Sequence, residues 1–180
     1  MIELIDEPLP DLLVIKPKVF KDERGFFLET WQKIKNQKIG LDQDFVQENW
    51  SRSTFGILRG LHFQVKHPQG KLVSVHNGKV FDVAVDLRKE SKSYGKWFGL
   101  ELSDENHLQM YVPPGFAHGF CVLSDVADFV YKCTDYYYPN DESGIIWNDT
   151  SLNIKWPIKN PIISDKDSRL STFNIESAKG

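Results

Sequence analysis

Gly56-Ile57-Leu58-Arg59-Gly60-Leu61-His62-Phe63-Gln64 and, further along, Pro113-Pro114-Gly115-Phe116-Ala117-His118-Gly119-Phe120 are the two stretches that decide how this chain is read. Each is a short apolar run, broken by glycine, that presents a histidine. Glycine permits a turn or bulge, and the apolar residues around it supply a half-buried strand. Paired across a β-barrel, two such modules bring two imidazoles to one pocket. Period-two alternation puts His62 and Gln64 on one face of the first module and denies that face to Arg59. For Arg59 to reach the same pocket, a bulge near Gly60 is required, and glycine is the residue that allows it.

Working outward, similar apolar alternations recur along the chain. Leu12–Phe20, Phe26–Thr30, Phe45–Ser53, Gly56–Gln64, Lys71–Val75, Lys79–Leu87, Trp97–Leu102, Gln109–Val112, His118–Leu123, Ala127–Tyr137 and Ile145–Trp147 are predicted as strands. His67-Pro68-Gln69-Gly70, His76-Asn77-Gly78, Ser93-Tyr94-Gly95 and Pro139-Asn140-Asp141 separate them, and Asn77-Gly78 is a strong hairpin signal. One helical segment is predicted at Trp31–Ile39. No repeat, low-complexity stretch or linker interrupts the series. The expectation is an all-β sandwich, jelly roll or barrel with minor helix, folded as one domain over residues 1–180.

Composition narrows the function. A net charge of −3 offers no phosphate-tracking basic surface, which argues against a nucleic-acid binder. Aromatics at 13%, with 12 Phe, suit a β-rich core and a pocket for flat ligands. Met1–Glu7 is acidic and lacks the basic and apolar regions of a signal peptide, and no apolar run reaches membrane-spanning length. Cys121 and Cys133 both lie in apolar segments and read as reduced, buried thiols of a cytoplasmic protein.

Alternation also sorts candidate side chains. In Lys79–Leu87, Phe81, Val83, Val85 and Leu87 share one face, leaving Asp82 either in solvent or aimed into a polar pocket. In Ala127–Tyr137, Phe129, Tyr131, Cys133, Asp135 and Tyr137 fall together, so Tyr131 and Tyr137 are expected on one strand face.

The two histidine modules resemble the first and second cupin motifs with the metal-binding part broken. Gln64 stands where a metal-binding cupin has a second histidine, and no glutamate ligand follows at the expected distance. One His from each module leaves too few ligands for a transition-metal site, so no metal is expected and a metal-dependent oxygenase is disfavoured. More specifically, several blocks in order resemble the dTDP-4-dehydrorhamnose 3,5-epimerase family from about Lys16 to Asp167. They are Asp22–Glu29, Val46–Asn49, Leu58–Gln64, Gln69–Val73, Gly78–Arg88, Pro114–Phe120, and Tyr131-Lys132 through Tyr137 to Glu142. The resemblance implies a cupin-type jelly-roll barrel that inverts C3 and C5 of dTDP-4-keto-6-deoxyglucose without metal or organic cofactor. It also implies a homodimer in which the N-terminal region of one chain helps complete the other's nucleotide site. Leu12-Leu13-Val14-Ile15 is an apolar strand suited to joining a neighbouring sheet.

The residue types fit that chemistry. A C4 ketone acidifies the hydrogens at C3 and C5, so epimerisation needs a base on one face, an acid on the other, and a cation for the enolate oxygen. His62 is the candidate base, since imidazole titrates close to working pH. A carboxylate should fix its tautomer; Asp165 and Asp167 both qualify by sequence, and the resemblance selects Asp167. Tyr131 is the candidate acid and Lys71 the candidate enolate cation, while His118 and Asp82 are read as a second polar pair. For the nucleotide half, the resemblance implies Arg24, Arg59 and Lys166 at the diphosphate and Tyr137 stacked on thymine. Glu29, Gln47, Glu48, Asn49 and Glu142 complete the binding set. Tyr136, Tyr137 and Tyr138 run consecutively, which leaves the stacking residue open by one position. Competing readings on the same fold are a 3- or 5-monoepimerase, a 3,4-ketoisomerase, or a silent sugar-nucleotide-binding cupin. Keeping both His62 and Tyr131 argues against the silent module.

Overall fold

The computed structural model describes residues 2–173, and nearly every apolar alternation within them folds as a strand. In chain order the elements are β1 (Ile2–Leu9), β2 (Leu12–Pro17), β3 (Val19–Asp22), β4 (Gly25–Leu28), α1 (Lys33–Gln37), β5 (Gln47–Thr54), β6 (Leu58–Gln64) and β7 (Lys71–Asn77). They continue with β8 (Lys79–Asp86), β9 (Trp97–Ser103), β10 (Gln109–Val112), β11 (Phe116–Val122), β12 (Val126–Cys133) and β13 (Glu142–Gly144), and a single 3-10 turn spans Asp167–Arg169. A six-stranded sheet has the order β1-β2-β10-β7-β12-β5 and a five-stranded sheet the order β13-β6-β11-β8-β9, while β3 and β4 form a separate hairpin. Strands close in sequence, such as β6 and β7, belong to different sheets, as a jelly roll requires. The cupin-type, all-β expectation is met.

Alternation decides what fills each layer. Between the sheets lie Val73, Val75, Ala127 and Phe129 from the larger one and Val80, Ala84, Phe116, Phe120 and Val122 from the smaller. Phe120 and Phe129 stack across the gap with ring centroids 4.1 Å apart. Leu61, Val83, Val85 and Ala117 point out of the smaller sheet and are covered by Ile145, Leu152, Ile154 and Trp156. The outer side of the larger sheet carries Leu72 and Tyr111, which pack with Trp31, Ile39, Leu41 and Phe45.

Several boundaries differ from the sequence expectation, each for a local reason. The helix is only Lys33–Gln37, capped by the Gln32 side chain, which accepts from Lys35 N–H. Leu12–Phe20 breaks after Pro17, since proline cannot extend a hydrogen-bonded ladder. Phe45–Ser53 begins later, at Gln47, and Phe26–Thr30 ends at Leu28. Ala127–Tyr137 ends at Cys133, so Tyr131 and Tyr137 do not share a strand face. Glu142–Gly144, rather than Ile145–Trp147, forms the last strand, paired with β6. β1 was not anticipated: Glu3, Asp6 and Glu7 make it a charged edge strand, a composition that strand propensities count against. The Leu12–Ile15 expectation is also corrected, because β2 is buried between β1 and β10 of its own sheet with both edges paired. β1 is the exposed edge of that sheet, and the β3–β4 hairpin beyond β2 carries Phe20, Phe26 and Phe27 in solvent. No helix among the described residues is long and apolar enough to cross a membrane.

Candidate active site

The bulge demanded by Arg59 is present. β6 advances from Arg59 to His62 while its partner β11 advances only from Phe120 to His118. Gly60 takes φ +125°, and a Cβ there would lie 2.5 Å from Gly119 Cα, so the close approach of these strands requires glycine. The extra residue turns Arg59 to the same side as His62. Both line a cavity of about 600 Å³ between the sheets.

The smaller sheet contributes Arg59 and His62 from β6 and His118 from β11. The larger sheet contributes Gln47 and Asn49 from β5, Lys71 from β7 and Tyr131 from β12. Tyr137, Glu142, Lys166 and Asp167 complete the wall from the loops and β13.

His62 Nε2 lies 2.7 Å from Asp167 Oδ1, while Asp167 Oδ2 accepts the Gly60 N–H at 3.2 Å. Ser164 Oγ accepts the Asp167 N–H and anchors the turn. Asp165 stays exposed and does not reach the ring, so the geometry chooses between the two carboxylates. Burial works to raise the Asp167 pKa, but the His62 hydrogen bond and the Gly60 amide outweigh it and hold the carboxyl below its usual range. The register sets His118 directly opposite His62, and His118 Nε2 lies 2.7 Å from Asp82 Oδ1.

Across the cavity, burial pushes the Tyr131 hydroxyl up to about 12, so it holds its proton. Lys71 Nζ sits 5.9 Å from the Tyr131 ring centroid. Desolvation lowers the Lys71 pKa, against the opposing pull of Cys133, Glu142 and Asp82. Tyr137 donates to Glu142 Oε2 at 2.5 Å, and Lys166 Nζ reaches the same oxygen at 2.5 Å. Arg59 Nε donates to Ser53 Oγ, and Gln47 Nε2 to Asn49 Oδ1. Of the three consecutive tyrosines, Tyr137 lines the cavity, Tyr138 stacks on His67 with centroids 4.2 Å apart, and Tyr136 is exposed.

A family model described as dTDP-4-dehydrorhamnose 3,5-epimerase matches residues 6–174. The chain belongs to this family. It is 55% identical over 166 residues to the dTDP-4-dehydrorhamnose 3,5-epimerase of Shigella flexneri, covering 91% of this chain and 92% of that one. Among solved structures, the Legionella pneumophila epimerase in complex with dTDP-4-keto-L-rhamnose superposes with a TM-score of 0.94 at 48% identity, covering 99% of this chain and 96% of that one. The Bacillus anthracis dTDP-4-dehydrorhamnose 3,5-epimerase with TDP and PPi bound gives 0.94 at 43% identity, covering 96% and 100%.

Set against the epimerase expectations, four residues lie outside this cavity lining. Arg24 is at the tip of the β3–β4 hairpin, exposed and paired with Asp22. Glu29 follows the hairpin and binds Lys35. Glu48 points to the outer side of β5, where it meets Lys132, because Gln47, Asn49, Ser51 and Ser53 are the residues that alternate inward. Asp82 stands fully buried behind His118. Sequence reasoning missed Ser51, whose buried hydroxyl has no partner among the described residues, and Gln69, together with Ile162–Ser164 of the C-terminal segment. Continuing the alternation from Gln47 and Asn49 by one step would have found Ser51. Gln64, at the broken cupin ligand position, is not part of the lining. Among the described residues no group of three or more His, Cys, Asp or Glu side chains is arranged to hold a metal ion.

Proposed function

We propose that this chain is a dTDP-4-dehydrorhamnose 3,5-epimerase, converting dTDP-4-dehydro-6-deoxy-D-glucose to dTDP-4-dehydro-L-rhamnose in dTDP-L-rhamnose biosynthesis. The observation that carries the reading is that His62 and Tyr131 face one cavity from opposite sheets. His62 takes the proton from C3 or C5; the electron pair moves into the C–C bond and the C4 carbonyl becomes an enolate. Lys71 stabilises the enolate oxygen as a point charge. Tyr131 then delivers a proton to the opposite face, the carbonyl re-forms, and the centre is inverted. Asp167 orients His62 and stabilises the imidazolium formed after abstraction. His118, backed by Asp82, is a second donor beside the enolate oxygen.

Tyr137 offers its ring to the thymine, with Arg59 and Lys166 at the diphosphate and Gln47, Asn49 and Glu142 at the base and sugar edges. No metal or organic cofactor enters the scheme. We assign the chain to the cytoplasm and to a homodimer in which the β3–β4 hairpin of one protomer carries Arg24 and Glu29 to its partner's cavity. The three exposed phenylalanines of that hairpin support the assignment. The test is deuterium incorporation from solvent into dTDP-4-keto-6-deoxyglucose, scored separately at C3 and C5. Exchange with inversion at both carbons is expected; exchange at one alone would make the chain a monoepimerase.

A further inference from the structure

The glutamine that replaces a cupin metal ligand has a different occupation in this structure. Gln64 is only 6% exposed, and its carboxamide is hydrogen-bonded to the loop after β12 and to the β6–β7 loop. Its Oε1 accepts the Tyr138 N–H at 2.7 Å, and its Nε2 donates to the Tyr136 carbonyl at 3.1 Å. Those two groups belong to the peptide units immediately before and after the Tyr137 Cα. One planar amide therefore grips both peptides that flank the ring lining the cavity. A second donation from Nε2, to the His67 carbonyl at 2.7 Å, orients the carboxamide itself.

Resting on the nucleotide-sugar reading of the cavity, we infer that Gln64 is a positioning residue that presets Tyr137 as the stacking surface for the base. Two links of the argument are chemical. The grip needs a donor and an acceptor on one rigid group, which a carboxamide has and an ionised carboxylate or a hydrocarbon lacks. It also needs reach, and β6 supplies that by carrying Gln64 just past His62, against the loop. The loop has other ties: Asp141 accepts the Lys66 and His67 N–H groups, and Gln47 Oε1 accepts the Tyr137 N–H at 2.9 Å. These hold the loop on the barrel, so removing Gln64 releases the Tyr136 carbonyl and the Tyr138 N–H without detaching the segment. Preorganisation of a stacking ring lowers the ordering cost of binding, and its loss appears in affinity.

The experiment measures the dTDP Kd by calorimetry, and KM and kcat with the 4-keto sugar, for Gln64→Leu in the wild-type and Tyr137→Ala backgrounds. In the wild-type background Kd and KM should rise together by about tenfold, the scale of one lost neutral hydrogen bond, with kcat changed by less than about threefold. In the Tyr137→Ala background the same substitution should change Kd by less than about twofold, because its effect runs through that ring. An equal loss in both backgrounds, or a fall in kcat at constant KM, overturns the inference. Gln64→Glu, which keeps the acceptor for Tyr138 but loses both donations, repeats the comparison if the leucine variant does not fold. Wild-type protein that binds dTDP but does not turn over the ketosugar would sink the epimerase reading and leave the positioning role standing. Wild-type protein that binds no dTDP overturns both.

Discussion

Replacing Asp167 by asparagine tests the base more sharply than removing His62 itself. The substitution is isosteric, so packing around the buried side chain is kept. Its hydrogen bonding is not. The carboxylate accepts from Gly60 N–H on one oxygen and faces His62 Nε2 at 2.7 Å on the other. An amide offers one acceptor and one donor. If its oxygen stays with Gly60, its NH2 meets His62 Nε2 and moves the ring proton to Nδ1, the nitrogen that has to accept; if it turns, the Gly60 N–H loses its acceptor. The interaction at stake is a charge-assisted bond to an imidazolium that exists only after proton abstraction, worth about 1.5–3 kcal/mol. Solvent screens it little on the Asp side, whose side chain is 5% exposed, and somewhat more on the His side, at 27%. If that energy is lost mainly in the transition state, proton abstraction slows by about 10- to 150-fold. The assay is NMR in deuterated water with dTDP-4-keto-6-deoxyglucose, following C3 and C5 separately, beside a dTDP titration. Both carbons should slow by the same factor, since one base serves both, with dTDP affinity within about twofold. Rates within about threefold of wild type, or slowing at one carbon only, would refute the dyad.

Tyr131→Phe should leave deuterium exchange measurable while inverted product falls, because the enolate is reprotonated from the face it was deprotonated on; equal loss of exchange and product would show that Tyr131 acts earlier. Lys71 has a depressed pKa, so its charge is lost as pH rises through a value below the ordinary 10.5, while Tyr131 at about 12 stays protonated. The alkaline limb of kcat should therefore belong to Lys71, and Lys71→Arg, which stays charged, should move it upward; an unmoved limb would reassign it. Mixing inactive Arg24→Ala and His62→Ala chains should restore some activity through hybrid dimers with one intact site, whereas independent sites would restore nothing.

Much of the candidate site was legible because strand alternation is geometric. Asp82 could be assigned to the face opposite Phe81 and Val83 before its environment was known, and the structure sets it inside against His118. The bulge at Gly60 followed from asking how Arg59 and His62 might share a side. Alternation fails where the ladder stops. Tyr137 reaches the cavity from a loop, not from the strand that carries Tyr131, and its aim depends on Glu142 nearby and on Gln47 and Gln64, both distant in sequence. Asp167 lies 105 positions from His62, and local pattern could not separate it from Asp165; only the resemblance did. Glu48 entered the candidate set because the family block was carried over whole, whereas period two sends it outward between Gln47 and Asn49. The charged edge strand β1 is beyond propensity reasoning, since its pairing with β2 rather than its composition makes it a strand.

His62 and Tyr131 ride on different sheets, so the apolar layer between the sheets sets the distance between them. The Phe120–Phe129 stack bridges that layer and also floors the cavity. In most folds a trimmed core side chain is felt as lower melting temperature and little else. With His62 as base and Tyr131 as acid, as proposed, it would also alter how far the proton donor stands from a planar carbanion, and with that distance the stereochemical outcome. Thermal robustness and product fidelity are thus written into the same handful of aromatic rings. A lineage that came to invert one carbon instead of two would have a route through its interior packing while its proton-handling groups stayed the same.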